Sequence, residues 1–197
     1  MTTEGTAGIR KSNRRWQSDV IVDLVKRYGF PYVALNPGAS FRGLHDSLVN
    51  YGENDPPILL CNHEKIAVQI AHGYARASGQ PMIAIVHDVV GLLHAPMGIY
   101  YAYLDRAPVF VIGATGPLAE PKRRPFIDWI HSANVQGEAI RHIVKMGLST
   151  GHHRGRAGRL RPRLLDHDER PSRADLHVLR RRTAGGGARS RGKAAAA

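Results

Sequence analysis

The sequence predicts an α/β domain: a parallel sheet with helices on both faces, followed by a basic tail. Three observations carry this. Apolar segments alternate between helical and strand character along residues 16–148. The strand candidates are short apolar runs separated by helix-length stretches, the spacing of a mostly parallel, doubly covered sheet. Near residue 150 the pattern stops, and Arg, Gly and Ala dominate.

The elements follow in order. Ser18 to Tyr28 reads as a helix, with Val20, Ile21, Leu24 and Val25 apolar and Ser18 suited to the N-cap. Tyr32 to Leu35 is a short strand ended by the chain-reversing Asn36-Pro37-Gly38. Gly43 to Tyr51 suits a helix and Ile58 to Cys61 a second strand. Glu64 to Ser78 is the strongest helix, closed by Gly79 and Pro81. Met82 to Val86 is a third strand, His94 to Leu104 a helix, and Val109 to Ile112 a fourth strand.

Composition narrows the class. The single cysteine, Cys61, rules out an intramolecular disulfide framework and suits a reducing compartment. Residues 1–15 are polar, expected to be disordered, and unlike a secretion signal. Asp105 and Arg106 interrupt the longest apolar stretch, so no membrane span is expected and the cytoplasm is the expected location. The net charge of +12 is uneven. Residues 151–197 hold 13 Lys and Arg against 4 Asp and Glu, whereas residues 1–150 hold 15 against 12.

In a sheet of this kind, ligands gather beyond the carboxyl ends of the strands. The residues there are Asn36 to Ser40, Asn62-His63-Glu64, His87-Asp88 and Gly113-Ala114-Thr115. Glu64 shares a helical face with Ala67, Val68, Ala71 and Ala75, and a carboxylate on an apolar face is costly to bury unless it is hydrogen-bonded. A solvated Glu interacting with the helix macrodipole is the competing reading. His87 suits proton transfer, or a strand-end histidine bonded to a nearby carbonyl. Cys61, His63, His72 and His87 fit no zinc spacing, and no metal site is expected. Lys122-Arg123-Arg124 reads as a solvated patch, and Tyr100, Tyr101 and Tyr103 as core or interface residues.

Several spaced motifs then occur in one order: Pro37-Gly38, His63-Glu64, Gly73-Tyr74-Ala75-Arg76 with Gly79, Gly91, Gly98, Ala102-Tyr103-Leu104-Asp105, Pro108 and Gly113. Residues 16–150 with this pattern resemble the N-terminal pyrimidine-binding domain of thiamine diphosphate enzymes, of the acetolactate synthase and benzoylformate decarboxylase type. The resemblance implies thiamine diphosphate as cofactor and a 2-oxo acid as substrate, by decarboxylation or carboligation. It implies that Glu64 hydrogen-bonds the pyrimidine ring and that His87 shuttles protons. It also places Pro37, Gly38, Gly91 and His94 around the cofactor, and a homodimer as the assembly.

Departures are visible. The turn usually written Gly-Pro-Gly-x-x-Asn is Val89-Val90-Gly91-Leu92-Leu93-His94 here, so His94 replaces Asn. It is open at this point whether His94 is a second acid–base group or only a helix N-terminal residue. The serine that follows Pro-Gly in decarboxylase relatives is displaced, with Ala39 and then Ser40 here. No Gly-Asp-Gly occurs in the sequence, so the domain that holds the diphosphate through Mg²⁺ is expected on a further segment or a partner subunit.

The tail, residues 151–197, cannot bury enough apolar surface to fold alone and is expected to be disordered. One reading is an arginine-rich arm for nucleic-acid phosphates, although no aromatic residue interleaves the arginines. The preferred reading is translation out of frame. Plausible codons for Leu164 to Arg181, shifted by one nucleotide, can encode Tyr-Ser-Ile-Met-Thr-Ser-Asp-Pro-Ala-Gly-Pro-Ile-Tyr-Met-Cys-Tyr-Asp-Ala. That resembles the strand and aspartate closing this family's domain. Three functions follow in order: an incomplete fragment carrying the cofactor-binding domain, the small subunit of a split 2-oxo acid decarboxylase, and a basic nucleic-acid-binding protein.

Overall fold

The computed structural model describes residues 14–117, 124, 126–133, 135–149 and 175–180. Expectations for residues 1–13, and for most of the tail, lie outside these. The described elements are α1 (Gln17–Arg27), β1 (Val33–Leu35), α2 (Arg42–Asp46) running into a π turn (Ser47–Tyr51), β2 (Ile58–Leu60), α3 (Glu64–Ser78), β3 (Met82–Val86), α4 (Asp88–His94), α5 (Pro96–Leu104), β4 (Val109–Thr115), α6 (Asp128–His131), a 3₁₀ stretch (Gln136–Ile143), β5 (Met146–Ser149) and β6 (Asp175–Arg180).

The sheet has the order β2-β1-β3-β4-β6-β5, and every adjacent pair is parallel. Alternate strand residues face opposite sides, so each strand feeds two cores. Ala34, Met82, Ala84, Val86, Val109 and Val111 pack with α3 and α5 on one face. Val33, Leu35, Ile83, Ile85, Phe110 and Ile112 pack with α1 and α2 on the other. Ala67, Ala71 and Ala75 bring α3 close to the sheet, and all three are buried. This is the doubly covered α/β sheet the sequence predicts.

The differences have local causes. Helix α1 starts at Gln17, and its N-terminus is held by Asp19, whose carboxylate accepts the backbone N–H groups of Arg15 and Trp16 at 2.9 Å each. Ser18 is not the cap; its hydroxyl instead accepts a bond from Ser47 at 2.7 Å. Residues 89–94, expected as a turn with His94 opening the helix to Leu104, fall in α4, because valines and leucines replace the usual breaker residues around Gly91. The break falls at Ala95–Pro96: Pro96 lacks an N–H to continue the ladder and sits instead in the first turn of α5. Strand β4 runs on to Thr115, so Gly113-Ala114-Thr115 lies inside the strand rather than after it.

Arg124 is not simply solvated: its guanidinium meets the buried Asp128 carboxylate at 2.9 Å. Tyr100 and Tyr101 are exposed, so neither is a core residue. With Ile66, Ile70, Met97 and Leu104 they leave the outer sides of α3 and α5 apolar, and these two helices pack together.

Within the tail, residues 175–180 form β6, in register from Phe110↔Asp175 to Thr115↔Arg180. An ordered strand departs from the expectation of a structureless tail at these six positions. The physical reason lies in β4, whose open edge offers unpaired backbone groups to any extended segment, whatever its side chains. No helix among the described residues is long and apolar enough to cross a membrane.

Candidate active site

The carboxyl ends of β1, β2 and β3 converge on α4, which organises two groups of polar side chains. His87 caps the start of this helix, Gly91 lies one turn in, and His94 ends it.

The first group surrounds Glu64. This residue opens α3 and is buried, so the solvated reading of the sequence is excluded. Its Oε2 stands 3.4 Å from Nδ1 of His94. A Cβ added at Gly91 would lie 2.9 Å from Oε1 of Glu64, so only glycine lets α4 approach the carboxylate this closely. His63 caps α3, with Nδ1 accepting the Lys65 N–H at 3.1 Å. Its ring centre lies 5.0 Å from that of His94. His94, placed at the C-terminal end of α4, is therefore not a helix N-terminal residue.

The second group surrounds His87. The Ser40 hydroxyl and backbone N–H both reach Nδ1, at 2.8 and 3.4 Å. With Nδ1 accepting, the neutral ring keeps its proton on Nε2. The His131 ring meets His87 edge to face with centres 5.5 Å apart. Pro37 is exposed at the end of β1, while Gly38 lies flat against His87.

A Cβ at Gly38 would stand 2.4 Å from both Cβ and Cγ of His87. Gly38→Ala should therefore push His87 off Ser40 and cost about 1–3 kcal/mol through overpacking. Thermal unfolding and the His87 ring resonances check this. An unchanged midpoint with unchanged His87 signals would refute the contact.

Asp88 ties the group together. It is buried at a positive φ of 49°, a left-handed conformation that Asp tolerates better than most residues. Burial pushes its carboxyl up to about 7, against the backbone N–H groups of Gly116 and Val89 and the Ser132 hydroxyl, while nearby Asp128 adds to the rise. Ser132 also accepts the Gly116 N–H at 3.1 Å, so the end of β3, the end of β4 and the segment after α6 share one network.

Sequence reasoning placed Glu64, His87 and Gly38 at strand ends, the family resemblance added Gly91 and His94, and the structure brings each into one of these groups. Sequence reasoning put Ser40 and Asp88 at strand ends without giving them a role, and it missed His131 and Ser132. Ser40 carried a signal, being the serine displaced by one from the usual position, and Asp88 directly follows a strand-end histidine. His131 and Ser132 carried none, because their approach depends on the fold of the segment after β4. The other histidine weighed as a metal ligand, His72, pairs instead with Asp105 at 2.8 Å, beside Arg76. Cys61 is buried, and burial pushes its thiol up, away from reactivity.

Strand-end acid–base groups around a glycine-lined approach to a buried carboxylate define a cofactor-binding α/β domain. Residues 15–136 match the thiamine pyrophosphate enzymes' N-terminal TPP binding domain. The chain belongs to that family and carries this domain.

Similar proteins include the acetolactate synthase large subunit of Lactococcus lactis, 32% identical over 103 residues, covering 52% of this chain and 18% of that protein. The isozyme 2 large subunit of Escherichia coli is 33% identical over 101 residues, covering 51% and 18%. Among solved structures, a putative thiamin diphosphate-dependent enzyme from Mycobacterium smegmatis superposes with a TM-score of 0.73 at 19% identity, covering 92% of this chain and 34% of that one. The thiamine diphosphate-dependent 4-hydroxybenzoylformate decarboxylase of Rhodococcus jostii gives 0.69 at 17%, covering 84% and 30%. At these identities the two structures speak to the fold. The matched region spans under a fifth of the acetolactate synthases' length.

Proposed function

We propose that this chain supplies the aminopyrimidine side of a thiamine diphosphate site in an enzyme acting on 2-oxo acids. The observation that carries the reading is Glu64: a buried carboxylate at the start of α3, with Gly91 of α4 packed closely against it. The residues fit the group, since a pyrimidine ring nitrogen calls for a buried acid side chain and Glu64 is one. Bound there, thiamine diphosphate supplies a nucleophilic carbon and an electron sink.

The chain's own residues do the rest. Glu64 holds and lends a proton at the ring nitrogen. Gly91 lets α4 close on Glu64, and Gly38 lets His87 pack flat at the end of β1. His87, held by Ser40 with its proton on Nε2, presents that proton to the substrate side. His94, in contact with Glu64, steadies the carboxylate.

The diphosphate and its Mg²⁺ need a second domain, on a further segment or on a partner subunit of a split decarboxylase. The exposed apolar residues of α3 and α5 support an assembly of two copies, with about 1.5–3 kcal/mol available per large apolar side chain buried. Calorimetry with thiamine diphosphate and Mg²⁺ tests the reading. Tight binding is expected only when a protein bearing a Gly-Asp-Gly domain is added. Equal binding by the wild type and Glu64→Gln in that mixture would refute it.

We infer further that the tail is out of frame. The one-nucleotide shift of residues 164–181 yields a Gly-Pro followed by apolar residues and Asp, like the close of this family's domain, and no aromatic residue interleaves the tail's arginines, which supports this reading over a nucleic-acid arm. Reading the gene's nucleotides around positions 146–151 decides it; an intact frame with no shifted homology removes the idea.

A further inference from the structure

We propose that His63, Glu64 and His94 form a Zn²⁺ site in the place the aminopyrimidine would take. One ligand atom from each of the three lies within 4.8 Å of the other two. Two imidazoles and a carboxylate are a donor set that Zn²⁺ accepts, with the fourth position left to water. Two imidazoles bound to one Zn²⁺ at about 2.0–2.1 Å have ring centres roughly 5 Å apart, and those of His63 and His94 stand 5.0 Å apart. The Glu64 carboxylate is buried, and its 3.4 Å approach to His94 is longer than a charge-assisted hydrogen bond. Two ligands held tetrahedrally at about 2.0–2.1 Å from Zn²⁺ stand roughly 3.4 Å apart, the separation seen here. Spacing along the chain hides this trio, because His94 reaches it only through the short α4.

The helix cap makes the site distinctive. Nδ1 of His63 accepts the Lys65 N–H. A neutral imidazole that coordinates through Nε2 carries its proton on Nδ1, and one that coordinates through Nδ1 has no lone pair left there. Either way Zn²⁺ displaces the Lys65 N–H, so metal binding loosens the first turn of α3.

The test uses the full 197-residue chain with Zn²⁺ alone, competed against a chromophoric chelator, and Co²⁺ as a spectroscopic substitute. One ion per chain is expected, with a Co²⁺ band of tetrahedral intensity. His94→Asn and His63→Gln should each weaken Zn²⁺ by at least about tenfold. His94 is exposed, so its replacement leaves the core intact, and circular dichroism of both variants checks this. Zn²⁺ should also speed exchange of the Lys65 amide.

Affinity unchanged in both variants would assign the ion to histidines elsewhere, such as His152 and His153, and overturn the site. A Lys65 amide indifferent to Zn²⁺ would do the same. Displacement of thiamine diphosphate by Zn²⁺ rests on the cofactor reading. With the completing protein present, metal binding that leaves cofactor affinity untouched would therefore move the aminopyrimidine away from Glu64 while the metal site stands.

Discussion

Glu64→Gln, made in this chain and assayed with a protein that completes the cofactor site, should lower turnover of a 2-oxo acid by about 100- to 10,000-fold. That range is about 3–5 kcal/mol of barrier. The substitution keeps size and hydrogen-bonding shape but removes a group that can both give and take a proton at the ring nitrogen. The fold should survive it. Glu64 enters at the first position of α3 and packs against Gly91 without filling the core, so stability should change by no more than about 1 kcal/mol, the scale of a charge on a helix end. Activity and a denaturant titration on the same variant separate the two effects. Full activity with intact structure would end the assignment of Glu64. Loss of both would mean that the carboxylate is structural.

Asp88 should make the domain less stable as pH rises from about 4 to 7. Its carboxyl is pushed from an ordinary value of 3.8 up to about 7, chiefly by burial. Across that window the folded chain holds a proton that the unfolded chain has released, so stability falls with pH. The contribution is complete below about pH 4 and gone above about pH 7. A rise of about 3 units corresponds to roughly 4 kcal/mol at ~1.4 kcal/mol per unit, as an order of magnitude.

Asp88→Asn keeps an acceptor for the Gly116 and Val89 N–H groups and tolerates the positive φ, but it cannot ionise. It should abolish the slope and exceed the wild type in stability above pH 7. Urea titrations of both proteins at pH 5 and pH 8 measure this. Parallel pH dependence in the two would show that the wild-type slope comes from other groups. The same network positions the segment carrying His131 against His87, so its ionisation should also alter the His87 ring environment.

The comparison of α3 with α4 shows what could be read from the chain. Helix α3 was legible to the residue, because its alanines recur at helical spacing and Gly79 and Pro81 mark its end. Helix α4 was not. Its seven residues look like a modified turn, and only burial of Leu92 in the core beside β3 and β4 settles them as helix. The site divides in the same way. Glu64, His87 and Gly38 stood out because each follows a strand, and strand ends are where a parallel sheet exposes its ligands.

By itself, the sequence determined the α/β class and the strand-end positions of Glu64 and His87. Those are local properties, set by periodicity, capping and turn chemistry within about fifteen residues. Tertiary structure decided which of these residues meet. The contacts of Ser40 with His87, of His94 with Glu64 and of Ser132 with Asp88 join different segments of the chain. Such contacts depend on the register of β1, β3 and β4 and on how closely α4 packs beside Glu64, and neither leaves a periodic trace along the chain.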